Sequence, residues 1–217
     1  MKKIAVLSAG NGGQALAADL ALRGHDVALY DLPQFAPAIE AIRRRGNTIE
    51  LQNKITGTAT IRLVTTDIAE ALDGAEVVYF TAPSYGQKAF FDLAVPALSD
   101  GQVIVLMPGN YGTLALKAAL REAGKDVIVA ETDNLPYACA ATEPGVVNVR
   151  DQEGRDAGGV PGGRLRRGGG RRGRGFLHRL AQGRKCARHQ HVRGQYGRAL
   201  CAHAGQRRAH RERGREV

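Results

Sequence analysis

An α/β fold, a doubly wound parallel sheet, is predicted for residues 1–149 on three observations. Short all-apolar runs alternate with helical segments; a glycine turn joins the first run to the first helix; an acidic residue closes the second run. Strands that alternate with helices at this spacing must cross over and pair in parallel, with helices on both faces.

Ile4-Ala5-Val6-Leu7 is the first run, uniformly apolar as a strand buried on both faces should be. Ser8-Ala9-Gly10-Asn11-Gly12-Gly13 follows, and residues 14–23 carry Leu16, Ala17, Leu20 and Ala21 at helical spacing. Gly24 stands at the C-cap, and residues 26–31 form the next strand. Residues 58–65 read as β, paired with residues 48–52 across a turn near Asn53-Lys54. Asp67 caps a helix over 68–72 that ends at Gly74. Strands are predicted over 76–81, 102–107 and 126–130, and helices over 87–98 and 113–123.

The glycine turn has a chemical use. Gly10 allows the backbone to approach a pyrophosphate and Gly13 lets the helix pack on the strand; Gly12 between them belongs to the same expected cofactor set. The first-turn amides of the helix, with the positive end of its dipole, then hold the phosphates, Asn11 among them. Asp31 ends the second strand 18 residues after Gly13, where a carboxylate accepts from ribose hydroxyls and repels a 2′-phosphate. The pattern predicts a Rossmann-like unit that binds NAD, with NADP possible. Ser8 departs from G-x-G-x-x-G, and serine resists the positive φ that a first glycine adopts. Arg43, Arg44 and Arg45 read as a solvated helix end rather than a phosphate site.

Ligands in such sheets bind at the carboxyl ends of strands. Those ends also hold Ala82, Pro83, Tyr85 and Asn110, which complete the expected cofactor set; Tyr85 and Asn110 either touch the nicotinamide side or serve as turn and cap residues. Glu131 either orients a substrate or ends a strand. His25 lies in the loop after the first helix and reads as structural, and Cys139 reads as a buried thiol. No residue in this segment stands out as a general acid or base, so the catalytic residue is unassigned.

The composition changes abruptly near residue 150. Residues 1–150 carry 13 Lys+Arg and 16 Asp+Glu, a net of −3, whereas residues 151–217 carry 18 and 5, a net of +13. Residues 150–217 are expected to be a low-complexity Arg/Gly-rich tail. The pI of about 9.9 therefore describes the tail and not the enzyme-like part. Three cysteines make neither a disulfide framework nor a metal-ligand spacing, so no metal is predicted and a cytoplasmic location is expected. The run after Lys2 and Lys3 is too short for a leader, and no stretch approaches the roughly 18 apolar residues of a membrane span.

Residues 1–149 carry a family likeness. Ala5-Val6-Leu7-Ser8-Ala9-Gly10-Asn11-Gly12-Gly13, Gly24-His25, Leu29-Tyr30-Asp31, Met107-Pro108-Gly109-Asn110 and Glu131-Thr132-Asp133-Asn134-Leu135-Pro136-Tyr137 together resemble the opine dehydrogenases, the octopine and nopaline enzymes. The resemblance implies an NAD(P)-dependent reductive condensation of an amino acid with a 2-oxo acid. It also implies a helical C-terminal domain that supplies the catalytic histidine. Ketopantoate reductases and glycerol-3-phosphate dehydrogenases, which reduce a ketone, share the expected fold.

Two readings of the tail are open. As written, Gly168-Gly169-Gly170-Arg171-Arg172-Gly173-Arg174-Gly175 is RGG-like and would bind nucleic acid non-specifically through phosphates. Alternatively, Arg, Gly, Ala and His enrichment is what a GC-rich gene yields out of frame. Read from each codon's second base, residues 205–212 permit the N-A-G-R-I-E of the opine family's helical domain. Residues 202–204 likewise permit its His-Pro region, and Gln195-Tyr196-Gly197 permits N-M-G. A one-base slip near codons 148–152 accounts for these matches together, and it predicts a truncated, inactive enzyme.

Overall fold

The computed structural model describes residues 1–152 and the backbone of Leu200–Cys201. In chain order these are β1 (Lys3–Leu7), α1 (Asn11–Leu22), β2 (Asp26–Tyr30), α2 (Ala36–Arg44), β3 (Thr48–Asn53), β4 (Gly57–Thr60), β5 (Leu63–Thr65) and α3 (Ile68–Leu72). They continue as β6 (Val77–Phe80), α4 (Gln87–Ala97), β7 (Val103–Leu106), α5 (Gly112–Glu122), β8 (Ile128–Glu131), β9 (Tyr137–Glu143), β10 (Val146–Gln152) and β11 (Leu200–Cys201).

The principal sheet has the order β11-β8-β7-β6-β1-β2-β5. The six strands from β8 to β5 are parallel, as expected, and β11 adds an antiparallel edge, Leu200 opposite Glu131. Successive connections run outward from β1 through β2 to β5, and from β6 through β7 to β8. The chain therefore reverses direction between β1 and β6, the switch point where doubly wound sheets open a crevice for ligands.

A second sheet has the order β4-β3-β10-β9; its β3–β4 hairpin was expected, whereas β9 and β10 were not. α1 lies between the two sheets, and Gly12 through Leu20 are all buried. That sandwiching explains why α1 lacks a polar face. Ile39 and Ile42 of α2 join its core, together with Ile49, Leu51, Val147 and Val149 of the second sheet. The opposite face of the principal sheet packs on α3, α4 and α5, through Leu72, Phe90, Phe91, Leu116 and Leu120.

Several boundaries differ from expectation. α1 begins at Asn11 and not at Gln14, so Gly12 and Gly13 are already helical while Gly10 is the extended N-cap. Residues 58–65 are two strands, because buried Ile61 turns the chain inward: β4 pairs with β3, and β5 crosses to the principal sheet beside β2. β10 runs through Gln152, opposite Tyr137, so the folded unit extends past residue 149. The Asp67 cap is present: its carboxylate accepts from the Ala69 and Glu70 amides. The expectations for the basic tail beyond residue 152 fall outside the described residues. Among the described residues, no helix is long and apolar enough to cross a membrane.

Candidate nucleotide site

The turn after β1 is shaped by three close contacts. Ser8 adopts φ +86°, the left-handed conformation that a glycine usually supplies, and its amide donates to the Tyr30 carbonyl of β2 at 2.8 Å. A Cβ on Gly13 would lie 1.7 Å from the Ser8 carbonyl oxygen, so only glycine lets α1 start this close to β1. A Cβ on Gly12 would meet the Leu135 side chain at 2.3 Å. The loop after β8 thus packs directly over Gly12, and a side chain there would have to displace Leu135. Gly10 differs: it is exposed, and the nearest atom to a Cβ there is Ser8 Oγ at 3.6 Å.

The amides at the start of α1 are available to an anion. The first helical bond runs from the Gln14 amide to the Gly10 carbonyl at 3.0 Å, and no side chain caps the helix. Amides of a first turn lie outside the helical ladder and, with the dipole, favour negative charge. An uncapped helix start, an open glycine and an acid at the end of β2 are what an adenine dinucleotide requires.

Asp31 is only 5% exposed and makes two bonds that the sequence did not reveal. The Ala9 amide donates to Oδ2 at 2.7 Å and the Leu32 amide to Oδ1 at 2.8 Å. The carboxylate therefore braces the glycine turn from the end of β2. Burial raises its pKa above the ordinary aspartate value, against the opposing pull of the two amides.

The other candidates lie along the neighbouring strand ends. Thr81 Oγ1 donates toward the Leu7 and Ser8 carbonyls at 3.2 and 3.3 Å, joining the end of β6 to the turn. Ala82 is buried beside it, while Pro83 is exposed and Tyr85 is 92% exposed. Asn110 Nδ2 donates to Ser84 Oγ at 2.8 Å, tying the loop after β7 to the loop after β6. Ser8, Gly10, Asn11, Gly12, Gly13, Thr81 and Ala82 thus gather around the switch point, with Tyr85 further along the loop after β6 and Asn110 one strand further on.

Glu131 is buried under Gly109 and accepts from the Thr113 amide at 3.3 Å, so it secures the start of α5. Arg43 is engaged by the Val64 carbonyl and Glu40, and Arg45 by Glu143. Cys139 is half-buried, not buried: its Sγ donates to the Asn11 carbonyl at 3.4 Å, and burial pushes the thiol pKa up. Among the described residues no group of three metal-ligating side chains occurs.

Sequence reasoning missed the ties between the turn and the second sheet. Gln14, 4% exposed, donates from Nε2 to the Ala9 carbonyl at 2.7 Å and accepts at Oε1 from the Gly145 amide at 2.8 Å. Asn11 Oδ1 accepts from the Ala141 amide of β9 at 3.0 Å. Asp19, 2% exposed, receives Arg23, the Tyr137 hydroxyl at 2.8 Å and Gln152 Nε2 at 3.1 Å. The available signal was a glutamine and an aspartate inside an otherwise apolar helix, Gln14-Ala15-Leu16-Ala17-Ala18-Asp19-Leu20.

Known proteins match the same region. The family described as NAD-dependent glycerol-3-phosphate dehydrogenase N-terminus matches residues 3–108. An opine dehydrogenase of Arthrobacter sp. (strain 1C) is 36% identical over 155 residues, covering 70% of this chain and 43% of that protein. A glycerol-3-phosphate dehydrogenase [NAD(P)+] of Koribacter versatilis (strain Ellin345) is 38% identical over 106 residues, 48% of this chain and 31% of that protein. The solved structure of octopine dehydrogenase with NADH and L-arginine superposes with TM-score 0.61 at 26% identity, covering 70% of this chain and 40% of that one. The chain spans about two-fifths of the length of the opine dehydrogenase it matches. Residues 1–152 are an opine dehydrogenase-like N-terminal domain with the Rossmann-like fold of NAD(P)-dependent oxidoreductases.

Proposed function

We propose that residues 1–152 are the NAD-binding half of an enzyme that reductively condenses an amino acid with a 2-oxo acid. The observation that carries the reading is the uncapped start of α1 beside the open Gly10, at the switch point between β1 and β6. In this reading Gly10, Asn11, Gly12 and Gly13 offer amides to the diphosphate, and Asp31 receives the ribose and favours NAD over NADP. Ser8, Ala82, Pro83, Tyr85 and Asn110 line the path toward the nicotinamide. The bound dinucleotide supplies the hydride; these residues hold and orient it. The protein acts in the cytoplasm.

We further propose that residues after 152 are read one base out of frame. The jump in net charge supports this, and so does the aligned share of 70%, which matches the segment before the jump. The pairing of β10 with β9 continues to Gln152, opposite Tyr137, which supports a slip at or beyond that codon. The 217-residue chain then turns over nothing. The test is to sequence the coding DNA across codons 140–217, join the open alternative frame at codon 152, and assay NADH oxidation by the repaired protein. The reading expects oxidation only when a 2-oxo acid and an amino acid are both present. Stops in both alternative frames would sink the frame proposal and leave nucleic-acid binding by the tail to be tested.

A second reading is favoured by the glycerol-3-phosphate dehydrogenase match over residues 3–108. It expects reduction of a ketone by the repaired protein with no amine present, as a ketopantoate-type enzyme also would.

A further inference from the structure

Side chains hold the Ala9–Gly10 peptide through its carbonyl and through the amide of the peptide before it. Its neighbour amide, Ala9 N–H, is taken by Asp31, and its own carbonyl, Ala9 C=O, is taken by Gln14 Nε2 at 2.7 Å. In a trans peptide the carbonyl and the amide point in opposite directions. The only cis bond among the described residues is Met107–Pro108. The Ala9 carbonyl points inward, to a side chain 4% exposed, so the Gly10 amide points outward at the exposed face of the turn. Gly10 carries no Cβ, and a peptide plane beside glycine rotates at little steric cost. Something must therefore fix that plane.

Gln14 does so only in one orientation of its amide. Nε2 must face Ala9, and that orientation is set by the acceptor end, where Oε1 receives the Gly145 amide at 2.8 Å. Gly145 is the turn residue between β9 and β10, at φ +87°, and its carbonyl accepts from the Glu50 amide of β3 at 2.9 Å. A chain of bonds thus runs from the second sheet, through Gly145 and Gln14, to the peptide that aims the Gly10 amide. We propose that Gln14, oriented by the β9–β10 turn, is a positioning residue for dinucleotide binding, setting the Gly10 amide toward the diphosphate. This rests on the reading that the turn binds NADH.

The test is NADH affinity of the full chain, by nicotinamide fluorescence, for wild type and two variants, with folding followed by circular dichroism in the same samples. In Gln14→Glu the carboxylate keeps the Gly145 bond but repels the Ala9 carbonyl, and the protonated acid restores the donor. Burial and the carbonyl favour the protonated form, so its titration rises from the ordinary value of about 4.3. The other ionisable groups near the turn are Asp31, Cys139, Arg45 and Glu143; the wild-type curve carries their share. Gln14→Glu is expected to bind NADH about tenfold more weakly than wild type near pH 8, the equivalent of one net hydrogen bond, and to recover most of that near pH 5. Gln14→Met keeps the volume and loses both bonds, so it is expected to be weakened by a similar factor at every pH. Folded Gln14→Met with wild-type affinity would overturn the proposal, as would folded Gln14→Glu whose ratio to wild type does not change with pH. A wild-type chain that binds no NADH would instead overturn the reading on which the proposal rests.

Discussion

Gly13→Ala is expected to destabilise the domain by about 3 kcal/mol or more, at the upper end of what inserting a methyl group into a packed site costs. The added Cβ would sit 1.7 Å from the Ser8 carbonyl oxygen and 2.9 Å from Thr81 Oγ1. The first is a backbone atom in a residue already at φ +86°, so it has little room to retreat. The alternative is for α1 to lift from β1. That would disturb a helix buried between two sheets from Gly12 to Leu20. Thermal unfolding should show a midpoint lower by roughly 10 °C for a domain of this size. Gly10→Ala provides the contrast. Its Cβ meets nothing closer than 3.6 Å, so the fold should tolerate it while NADH binding suffers. A Gly13→Ala protein as stable as wild type would mean that the turn is looser than described.

Asp19→Ala is the second large effect, about 3 kcal/mol. Asp19 gathers three donors from two layers: Arg23 of α1's end, the Tyr137 hydroxyl of β9 and Gln152 Nε2 of β10. Tyr137 and Gln152 are each 5% exposed. Removing their shared acceptor leaves two donors without a partner or water, and each such group costs about 1–3 kcal/mol. Arg23 retains access to solvent and adds less. Burial and the neighbouring Asp19 hold the Tyr137 pKa well above its ordinary value, so the phenol stays a donor across the accessible pH range. Tyr137→Phe should therefore cost less than Asp19→Ala, and the double variant should cost less than the two summed. Hydrogen exchange should quicken first in β9 and β10. Uniform quickening across β1, β6 and β7 would show that Asp19 does not join the layers in the way its bonds imply.

The principal sheet was legible because its information is local. Ile4-Ala5-Val6-Leu7, the glycine turn and Asp31 lie within one β-α-β unit, and Asp67 announces α3 by its position alone. In the second sheet the β3–β4 hairpin was legible, but β9 and β10 were not, for two physical reasons. β10 pairs in parallel with β3 across nearly the whole domain, Val147 opposite Leu51, and no local pattern marks such a partner. β9, with Ala138, Cys139, Ala140 and Ala141, carries small residues of weak strand preference. The charge jump near residue 150 also falls inside β10, so composition drew the boundary before the strand ended. The site shows the same split. Ser8, Gly13 and Asp31 were recognised by residue type and spacing, whereas Gln14 and Asp19 act through bonds to residues more than a hundred positions away.

We propose that the turn after β1 holds a dinucleotide. It is tested most directly by titrating the purified 217-residue chain with NADH and NADPH and following nicotinamide fluorescence, with Gly10→Ala as the control. NADH should bind saturably, NADPH more weakly because Asp31 opposes a 2′-phosphate, and a folded Gly10→Ala protein should bind NADH with reduced affinity. A folded wild-type chain that binds neither nucleotide, or one whose binding is indifferent to Gly10→Ala, would contradict it.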